Sequence, residues 1–252
     1  MFPVIHLGPL SIQSHGLIVL LSFWLATEAA ERGAKRLGLR GDDIYSLALI
    51  AAGTGLIGAR LGYVAEHWAA YQGDLGAIFA LNLNTLSAMA GIVIGVLAAT
   101  VYARRKGIAH RRLLDALTPG LIVLVGGLAL ADFASGDGYG SPSSLPWAIE
   151  LWGALRHPTQ LYQLLAVIIS GVIVLRAPRP FDGVRFGLFV ALYAGSRLFL
   201  EAFHGDSETI GGIRTVQVWS TLVLLLALIA LRQWARADRG AVPRPAGPLS
   251  QT

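Results

Sequence analysis

The chain has 252 residues, of which 54% are hydrophobic and only 14% are charged, with a formal net charge of +5 and a mean hydropathy of +0.60. Soluble domains carry about 25% charged residues, so this composition favours a polytopic membrane protein built as one helical bundle. The sequence contains no cysteine, which excludes disulfides, thiolate nucleophiles and cysteine-ligated metals within the chain.

Apolar segments alternate with polar loops along the chain, which is typical of repeated membrane crossings. Seven spans are predicted, at residues 15–30, 44–64, 86–102, 113–131, 159–175, 186–203 and 215–231. The residues before the first span lack the basic region of a secretory signal peptide, so they are assigned to the mature protein. The fold prediction is therefore an all-α polytopic membrane protein with seven transmembrane helices.

Three polar stretches complete this organisation. Residues 65–84 contain no Lys or Arg and are expected to lie along the membrane interface as a short arm. Residues 131–158 form a polar insert outside the membrane, between the fourth and fifth spans. The transmembrane domain is assigned to residues 1–234, and the Arg- and Pro-rich residues 235–252 are predicted to be a disordered cytoplasmic tail.

The positive charges predict the orientation of the chain. Sixteen of the 20 Lys and Arg residues follow the first, third and fifth spans or lie in the C-terminal tail. With seven spans, these four regions share one side of the membrane. The positive-inside rule then places the N-terminus outside and the C-terminus in the cytoplasm.

The remaining four basic residues are predicted in the outer half of the protein; they are Arg60, Arg156, Arg197 and Arg214. Tyr193, Arg197 and Glu201 follow one another at intervals of four, so they share a helical face. Arg197 and Glu201 form either a structural ion pair or a site where the guanidinium is held for a phosphate. Arg60 is either an interfacial side chain or a second contact for the same anion.

The insert adds carboxylates and a histidine near the same face. Asp132 and Asp137 fit a solvated turn or helix cap, or alternatively a general base and its orienting group. His15 begins the first span and His157 precedes a proline at the start of the fifth; both also have plain structural interpretations. Together the cations, carboxylates and glycines favour a site for a phospholipid headgroup, and no spacing suggests a metal site or a nucleotide phosphate loop.

The insert resembles the signature segment of the bacterial prolipoprotein diacylglyceryl transferases, whose pattern is roughly G-R-x-x-N-F-x-N-x-E-x-x-G. The corresponding segment here is LALADFASGDGYG, from Leu128 to Gly140, where Phe133 and Gly140 agree with the pattern and Asp137 takes the place of the glutamate. Other segments resemble the family in the same order along nearly the whole chain: LGPLSIQSHG, GARLGYV, RHPTQLYQ, YAGSRLFLEAF and VQVWS.

The resemblance implies transfer of a diacylglyceryl group from phosphatidylglycerol to the lipobox cysteine of a prolipoprotein, with release of glycerol phosphate. It implies a bacterial inner-membrane protein that acts on phospholipid and prolipoprotein signal peptides. No cofactor, metal or nucleic acid is expected, and a monomer is the default expectation. The catalytic candidates are Asp132, Asp137, Arg197, Glu201 and His15. The candidates for substrate binding are Arg60, Gly140, Tyr193, His157 and Gln160.

The chain also departs from the family pattern. Ala129 stands at the signature arginine and Asp132 at the signature asparagine, and Met89 occupies the place of a histidine proposed as the base. His15 is a candidate for that lost role. Two alternatives therefore stand beside the transferase: a phospholipid-using enzyme with a changed donor or acceptor, and a lipid-binding paralogue without activity.

Overall fold

The computed structural model describes residues 4–7, 10–80, 85–205, 207 and 209–241. Helices dominate this part of the chain: α1 Ser14–Arg36, α2 Gly41–Glu66, α3 Trp68–Tyr71, α4 Ala88–Arg105, α5 His110–Ser135, α6 Thr159–Arg176, α7 Val184–Leu200 and α8 Thr215–Ala241. Two 3₁₀ turns lie at Leu75–Phe79 and Glu201–Phe203.

Within the described residues, three small antiparallel hairpins lie outside the helices. They pair β1 Val4–Leu7 with β2 Leu10–Gln13, β3 Ile149–Leu151 with β4 Ala154–Arg156, and β5 Thr209–Ile210 with β6 Ile213–Arg214. The β3–β4 hairpin lies in the insert. The β5–β6 hairpin connects α7 to α8.

Six helices in the described part of the chain are long and apolar enough to cross a membrane: Gly41–Glu66, Ala88–Arg105, His110–Ser135, Thr159–Arg176, Val184–Phe203 and Thr215–Arg239. The protein is thus an all-α polytopic membrane protein, as predicted, and six of the seven predicted spans are confirmed as candidates. α1 coincides with the first predicted span and has 23 residues, but its second half is charged. Two ion pairs lie there, Glu28–Arg32 at 2.9 Å and Glu31–Lys35 at 2.5 Å.

Two predicted boundaries differ from the structure. The insert was expected to begin at residue 131, but α5 continues through Ser135 and ends at Gly136, whose positive φ of 85° is suited to a left-handed helix cap. The tail was expected to be disordered from residue 235, but α8 continues to Ala241, because this segment is rich in the strong helix formers Ala and Arg. Residues 242–252 lie outside the described residues.

The helices approach one another closely where small residues meet, as is usual in membrane bundles. On α1, a Cβ added to Gly33 would lie 2.5 Å from the carbonyl oxygen of Ala116 on α5. On α5, a Cβ added to Gly120 would lie 2.5 Å from the carbonyl oxygen of Ala26 on α1. Only glycine fits at these two crossings, so α1 and α5 form a tight pair along the first half of α5.

Asp115 fixes the start of α7. Its side chain on α5 is buried, with 1% of the residue exposed, and its oxygens accept hydrogen bonds from the backbone N–H groups of Gly183 at 2.9 Å, Arg185 at 3.0 Å and Phe186 at 3.1 Å. These N–H groups belong to the start of the helix, where backbone N–H groups have no acceptor within the helix itself. α7 is thereby held at the end opposite to Arg197.

Candidate functional site

A polar cavity of about 330 Å³ lies among the ends of four helices. Its walls come from the end of α5, the start of α6, the end of α7 with the turn that follows, and the start of α8. The lining residues are Ala129, Asp132, Gly138, Thr159, Gln160, Gln163, Arg197, Glu201, His204, Ser207, Thr215 and Val216.

Arg197 is the cation of this cavity. Its Nη2 lies 3.8 Å from Oε2 of Glu201, and its Nη1 donates a hydrogen bond to Oε1 of Gln163 at 3.4 Å. Both contacts are at the long end of the range for hydrogen bonds and ion pairs, so the guanidinium is held weakly by its protein partners. A guanidinium has five N–H donors, which leaves it well suited to bind an anion.

Three buried polar atoms in the cavity wall have no hydrogen-bond partner among the described residues: Oε1 of Gln160, Nε2 of Gln163 and Oγ1 of Thr215. Gln160 is 3% exposed and Gln163 6% exposed. The amide nitrogen of Gln160 donates to the carbonyl oxygen of Asp137 at 2.6 Å, which fixes its side chain. Buried polar atoms are nearly always hydrogen-bonded, so these three atoms indicate a site that a polar ligand or water completes.

The rim of the cavity carries a histidine and two carboxylates. Nδ1 of His15 lies 3.7 Å from Oδ1 of Asp132, and both side chains are about two-fifths exposed. Oγ of Ser135 lies 3.5 Å from the same His15 nitrogen and donates to Oδ2 of Asp137 at 2.6 Å. An imidazole beside a carboxylate can accept and hold a proton, so this cluster is chemically suited to general-base work.

Arg214 holds the opposite wall of the cavity. Its Nη1 donates to the carbonyl oxygen of Glu201, to the carbonyl oxygen of His204 at 3.3 Å and to Oγ of Ser207 at 3.3 Å. Glu201 itself is 1% exposed, and its Oε2 lies 3.8 Å from Nδ1 of His204. Arg214 therefore fixes the backbone that presents Glu201.

Gly140 and His157 lie together in the insert but not in the cavity wall. The N–H of Gly140 donates to the carbonyl oxygen of His157 at 3.2 Å, and a Cβ added to Gly140 would overlap that oxygen. The ring of His157 packs edge-on against Phe203 at 5.3 Å and lines a separate apolar groove with Tyr162. Because the backbone of His157 lies so close, only glycine fits at position 140, and this requirement is structural.

Arg60 and Tyr193 also lie outside the described cavity lining. Arg60 donates from Nε to Ile78 O at 2.8 Å and from Nη2 to Ala77 O at 2.5 Å, and its guanidinium lies 5.4 Å from the ring centre of Tyr71. It thus holds the arm after α2 instead of meeting Arg197. Tyr193 lies one turn before Arg197 and stacks on Phe189 at 6.1 Å.

The structure therefore brings some of the predicted residues together and separates others. Asp132, Gln160, Arg197 and Glu201 line one cavity, and the ring of His15 lies beside Asp132 at its rim. Sequence reasoning did not single out Gln163, Thr215 or Arg214 for a role in the site. The sequence feature that could have indicated Gln163 is its spacing of three residues from Gln160, which places both side chains on one face of α6.

The fold and the cavity define a multi-pass membrane protein with a polar site among its helix ends. The family model described as prolipoprotein diacylglyceryl transferase matches residues 3–233. The chain belongs to this family, which confirms the resemblance found in the sequence.

Curated relatives agree with this assignment. The chain is 29% identical over 223 residues to the phosphatidylglycerol–prolipoprotein diacylglyceryl transferase of Clostridioides difficile strain 630, covering 88% of this chain and 90% of that protein. It is 30% identical over 235 residues to the protein of the same name from Streptococcus equi subsp. equi strain 4047, covering 88% and 91%. A multi-pass protein related to these bacterial enzymes is consistent with a place in the plasma membrane.

Proposed function

We propose that this protein transfers a diacylglyceryl group from phosphatidylglycerol to the lipobox cysteine of prolipoproteins. The observation that carries the proposal is the cavity around Arg197, in a chain that matches the family over residues 3–233. Arg197, with the unpaired atoms of Gln160, Gln163 and Thr215, presents donors and acceptors to one cavity. A phosphate with a hydroxylated headgroup needs such a mixture.

Arg197 binds the phosphate of the donor lipid in this mechanism. The substrate cysteine sulfur attacks the glyceryl carbon that carries the phosphate ester. A sulfur–carbon bond forms as the carbon–oxygen bond breaks, and glycerol phosphate leaves with the bonding electron pair. Negative charge grows on the departing phosphate, so a guanidinium at this position stabilises the transition state more than the ground state.

His15 and Asp132 supply the base. A free thiol has a pKa of about 8.5, so removal of its proton makes the sulfur a better nucleophile. Asp132 lines the cavity and lies 3.7 Å from the His15 ring, where its carboxylate stabilises the imidazolium that forms. Asp137 accepts a hydrogen bond at 2.6 Å from Ser135, whose hydroxyl lies beside His15, and so helps to orient the base. Glu201 lies 3.8 Å from Arg197 and balances its charge.

The topology that suits this reaction has seven spans, with α1 as the first. The N-terminus then lies outside and the C-terminus in the cytoplasm, in agreement with the positive-inside rule. The cavity opens at the outer leaflet of the bacterial inner membrane, where a signal peptide and its lipid donor both reach it. A single copy of the chain contains the whole site.

One observation favours a second candidate, a transferase with a less anionic donor. Among the described lining residues, Arg197 is the guanidinium, whereas both Asp132 and Glu201 are carboxylates. Ala129, at the position that the family pattern gives to arginine, also lines the cavity and adds no charge. This balance is unfavourable for a strongly anionic lipid.

Asp132→Asn separates the two candidates. If Asp132 orients His15 as the base, the substitution lowers the rate of transfer from phosphatidylglycerol. If Asp132 serves only to exclude anionic donors, the same substitution raises that rate. The measurement is the mass increase of a lipobox peptide incubated with the purified protein and phosphatidylglycerol.

The decisive test is complementation of a strain depleted of its own diacylglyceryl transferase, scored by lipoprotein mass. The expected product carries one diacylglyceryl group on the lipobox cysteine. Arg197→Ala is expected to abolish it, whereas Arg105→Ala, an exposed arginine at the far end of α4, is the matched control. A membrane-inserted wild-type protein that yields no modified lipoprotein would exclude this function and favour the lipid-binding paralogue.

A further inference from the structure

A further apolar groove, separate from the cavity and from the groove beside His157, lies at the opposite end of α7 from Arg197. It has a volume of about 320 Å³ and runs between α7 and α8, with one wall from α5. Its surface is apolar and includes Leu114, Phe186, Val190, Leu226 and Ala230, and Trp234 closes one end. Residues 185 and 197 of α7 are twelve positions apart, which is about 18 Å along a helix, so this groove is distinct from the cavity.

Two arginines with unpaired N–H groups lie at the Trp234 end of the groove. Nη1 of Arg111 and Nε of Arg185 are buried and have no hydrogen-bond partner among the described residues. Both residues flank the turn before α7, Arg185 from two positions after Gly183 and Arg111 from α5. An added Cβ on Gly183 in that turn would lie 3.4 Å from Cβ of Arg111 and 2.7 Å from the ring of Trp234.

The nearby buried carboxylate does not satisfy these two N–H groups. Asp115 accepts from the backbone N–H groups of Gly183, Arg185 and Phe186, and its remaining ionic contact is with Nε of Arg179 at 3.8 Å. A buried, charged donor without an acceptor is strongly unfavourable. One N–H group of each arginine is therefore left for an acceptor that is not part of the described protein.

We propose that this groove binds an anionic phospholipid, with its phosphate on Arg111 and Arg185 and an acyl chain between α7 and α8. The arginines border the groove without lining it: Leu114 in its wall lies one helical turn from Arg111 on α5, and Trp234 at its end lies beside Gly183, two residues before Arg185. The lipid belongs to the leaflet at the basic end of the bundle, where the chain concentrates its Lys and Arg residues. It is a bound structural lipid, separate from the donor of the transfer reaction.

Photolabelling of the full-length protein in phosphatidylcholine nanodiscs tests this site. The probes are phosphatidylglycerol and phosphatidylcholine with the same photoactivatable acyl chain, and the readout is labelling of the peptide that spans residues 223–234. Both probes carry a phosphodiester, but the two arginines repel the choline cation of phosphatidylcholine, so we expect about tenfold more labelling by the phosphatidylglycerol probe. Equal labelling by the two probes would refute the site.

Variants locate the headgroup. Arg111→Gln combined with Arg185→Gln is expected to reduce the phosphatidylglycerol labelling to the phosphatidylcholine level, whereas the exposed Arg105→Gln leaves it unchanged. Ala230→Leu fills the groove and changes neither arginine. It is expected to reduce the phosphatidylglycerol labelling as well, and it provides the test if the double variant does not fold. Unchanged labelling in a folded Arg111→Gln, Arg185→Gln protein, or in Ala230→Leu, contradicts the proposal.

Two further controls identify the ligand and the site. Arg197→Ala removes the proposed donor-lipid contact and is expected to leave the 223–234 labelling intact; its loss would assign the label to the cavity and overturn a second site. Inorganic phosphate is added as a competitor, and little protection is expected. Full protection by inorganic phosphate would overturn the lipid assignment in favour of a free-phosphate site.

Discussion

Gln163→Met provides a direct test of whether the unpaired amides serve a ligand. Gln163 is 6% exposed, its Nε2 has no described partner, and its Oε1 accepts a 3.4 Å bond from Arg197. Methionine has a similar shape without the amide. The substitution therefore removes one unsatisfied buried donor and one long hydrogen bond, while the cavity keeps its volume.

The two effects on the free energy of unfolding oppose each other. Relief of a buried unsatisfied group contributes about 1–3 kcal/mol, and loss of the Arg197 bond costs about 1 kcal/mol. The ligand-free variant is therefore expected to be as stable as the wild type or up to about 2 kcal/mol more stable, a rise in Tm of several degrees. Loss of a hydrogen bond to the lipid headgroup should lower kcat/KM roughly tenfold.

The assay measures both quantities on the same preparation. Tm is followed by tryptophan fluorescence in detergent, and kcat/KM by the mass increase of a lipobox peptide with phosphatidylglycerol. Gln233→Met, on an exposed site of α8, is the matched control and should change neither. A Gln163→Met protein with a clearly lower Tm and full activity would refute the reasoning, because it would show that the amide is already satisfied without a ligand.

Three further predictions follow from the described contacts. Asp115→Ala leaves three backbone N–H groups at the start of α7 without their acceptor and is expected to destabilise the protein by about 2–4 kcal/mol, seen as a lower Tm; an unchanged Tm would contradict the capping role. Gly140→Ala forces its Cβ into His157 O and should cost about 1–3 kcal/mol, whereas Gly53→Ala, with open space around it, should not lower Tm. Arg60→Lys loses the forked contacts to Ile78 and Ala77 and should increase protease cleavage within residues 72–80; equal cleavage would mean that the arm is held by other contacts.

The features that the sequence predicts well are those that depend on local pattern. The candidate spans follow from apolar runs, and the fixed helical spacing of Arg197 and Glu201 correctly places them together, at 3.8 Å. The position of Asp132 differs, because Gly136 ends α5 one turn later than the polarity of the insert suggests. Local pattern therefore locates helices better than it locates their last turn.

Long-range contacts explain what the sequence does not predict. The main partners of Arg60 are backbone carbonyls 17 to 25 residues further along the chain, and no side-chain pattern marks them. Gln163 and Thr215 meet only because α6 and the start of α8 converge on one cavity. The pairing of Asp115 with the start of α7 spans about 70 residues and is equally invisible in the sequence.

Backbone contacts position the proposed catalytic cation while its own hydrogen-bond donors remain weakly engaged. α7 is fixed at its start by Asp115, and the turn after its end is fixed by Arg214, which binds the carbonyl oxygens of Glu201 and His204. Neither anchor contacts the guanidinium of Arg197, whose own contacts are at 3.4 and 3.8 Å. A short bidentate ion pair would hold the side chain more firmly but would compete with a phosphate for the same N–H groups. Anchoring the helix at both ends gives the preorganisation that transition-state stabilisation requires and keeps Arg197 available to the ligand.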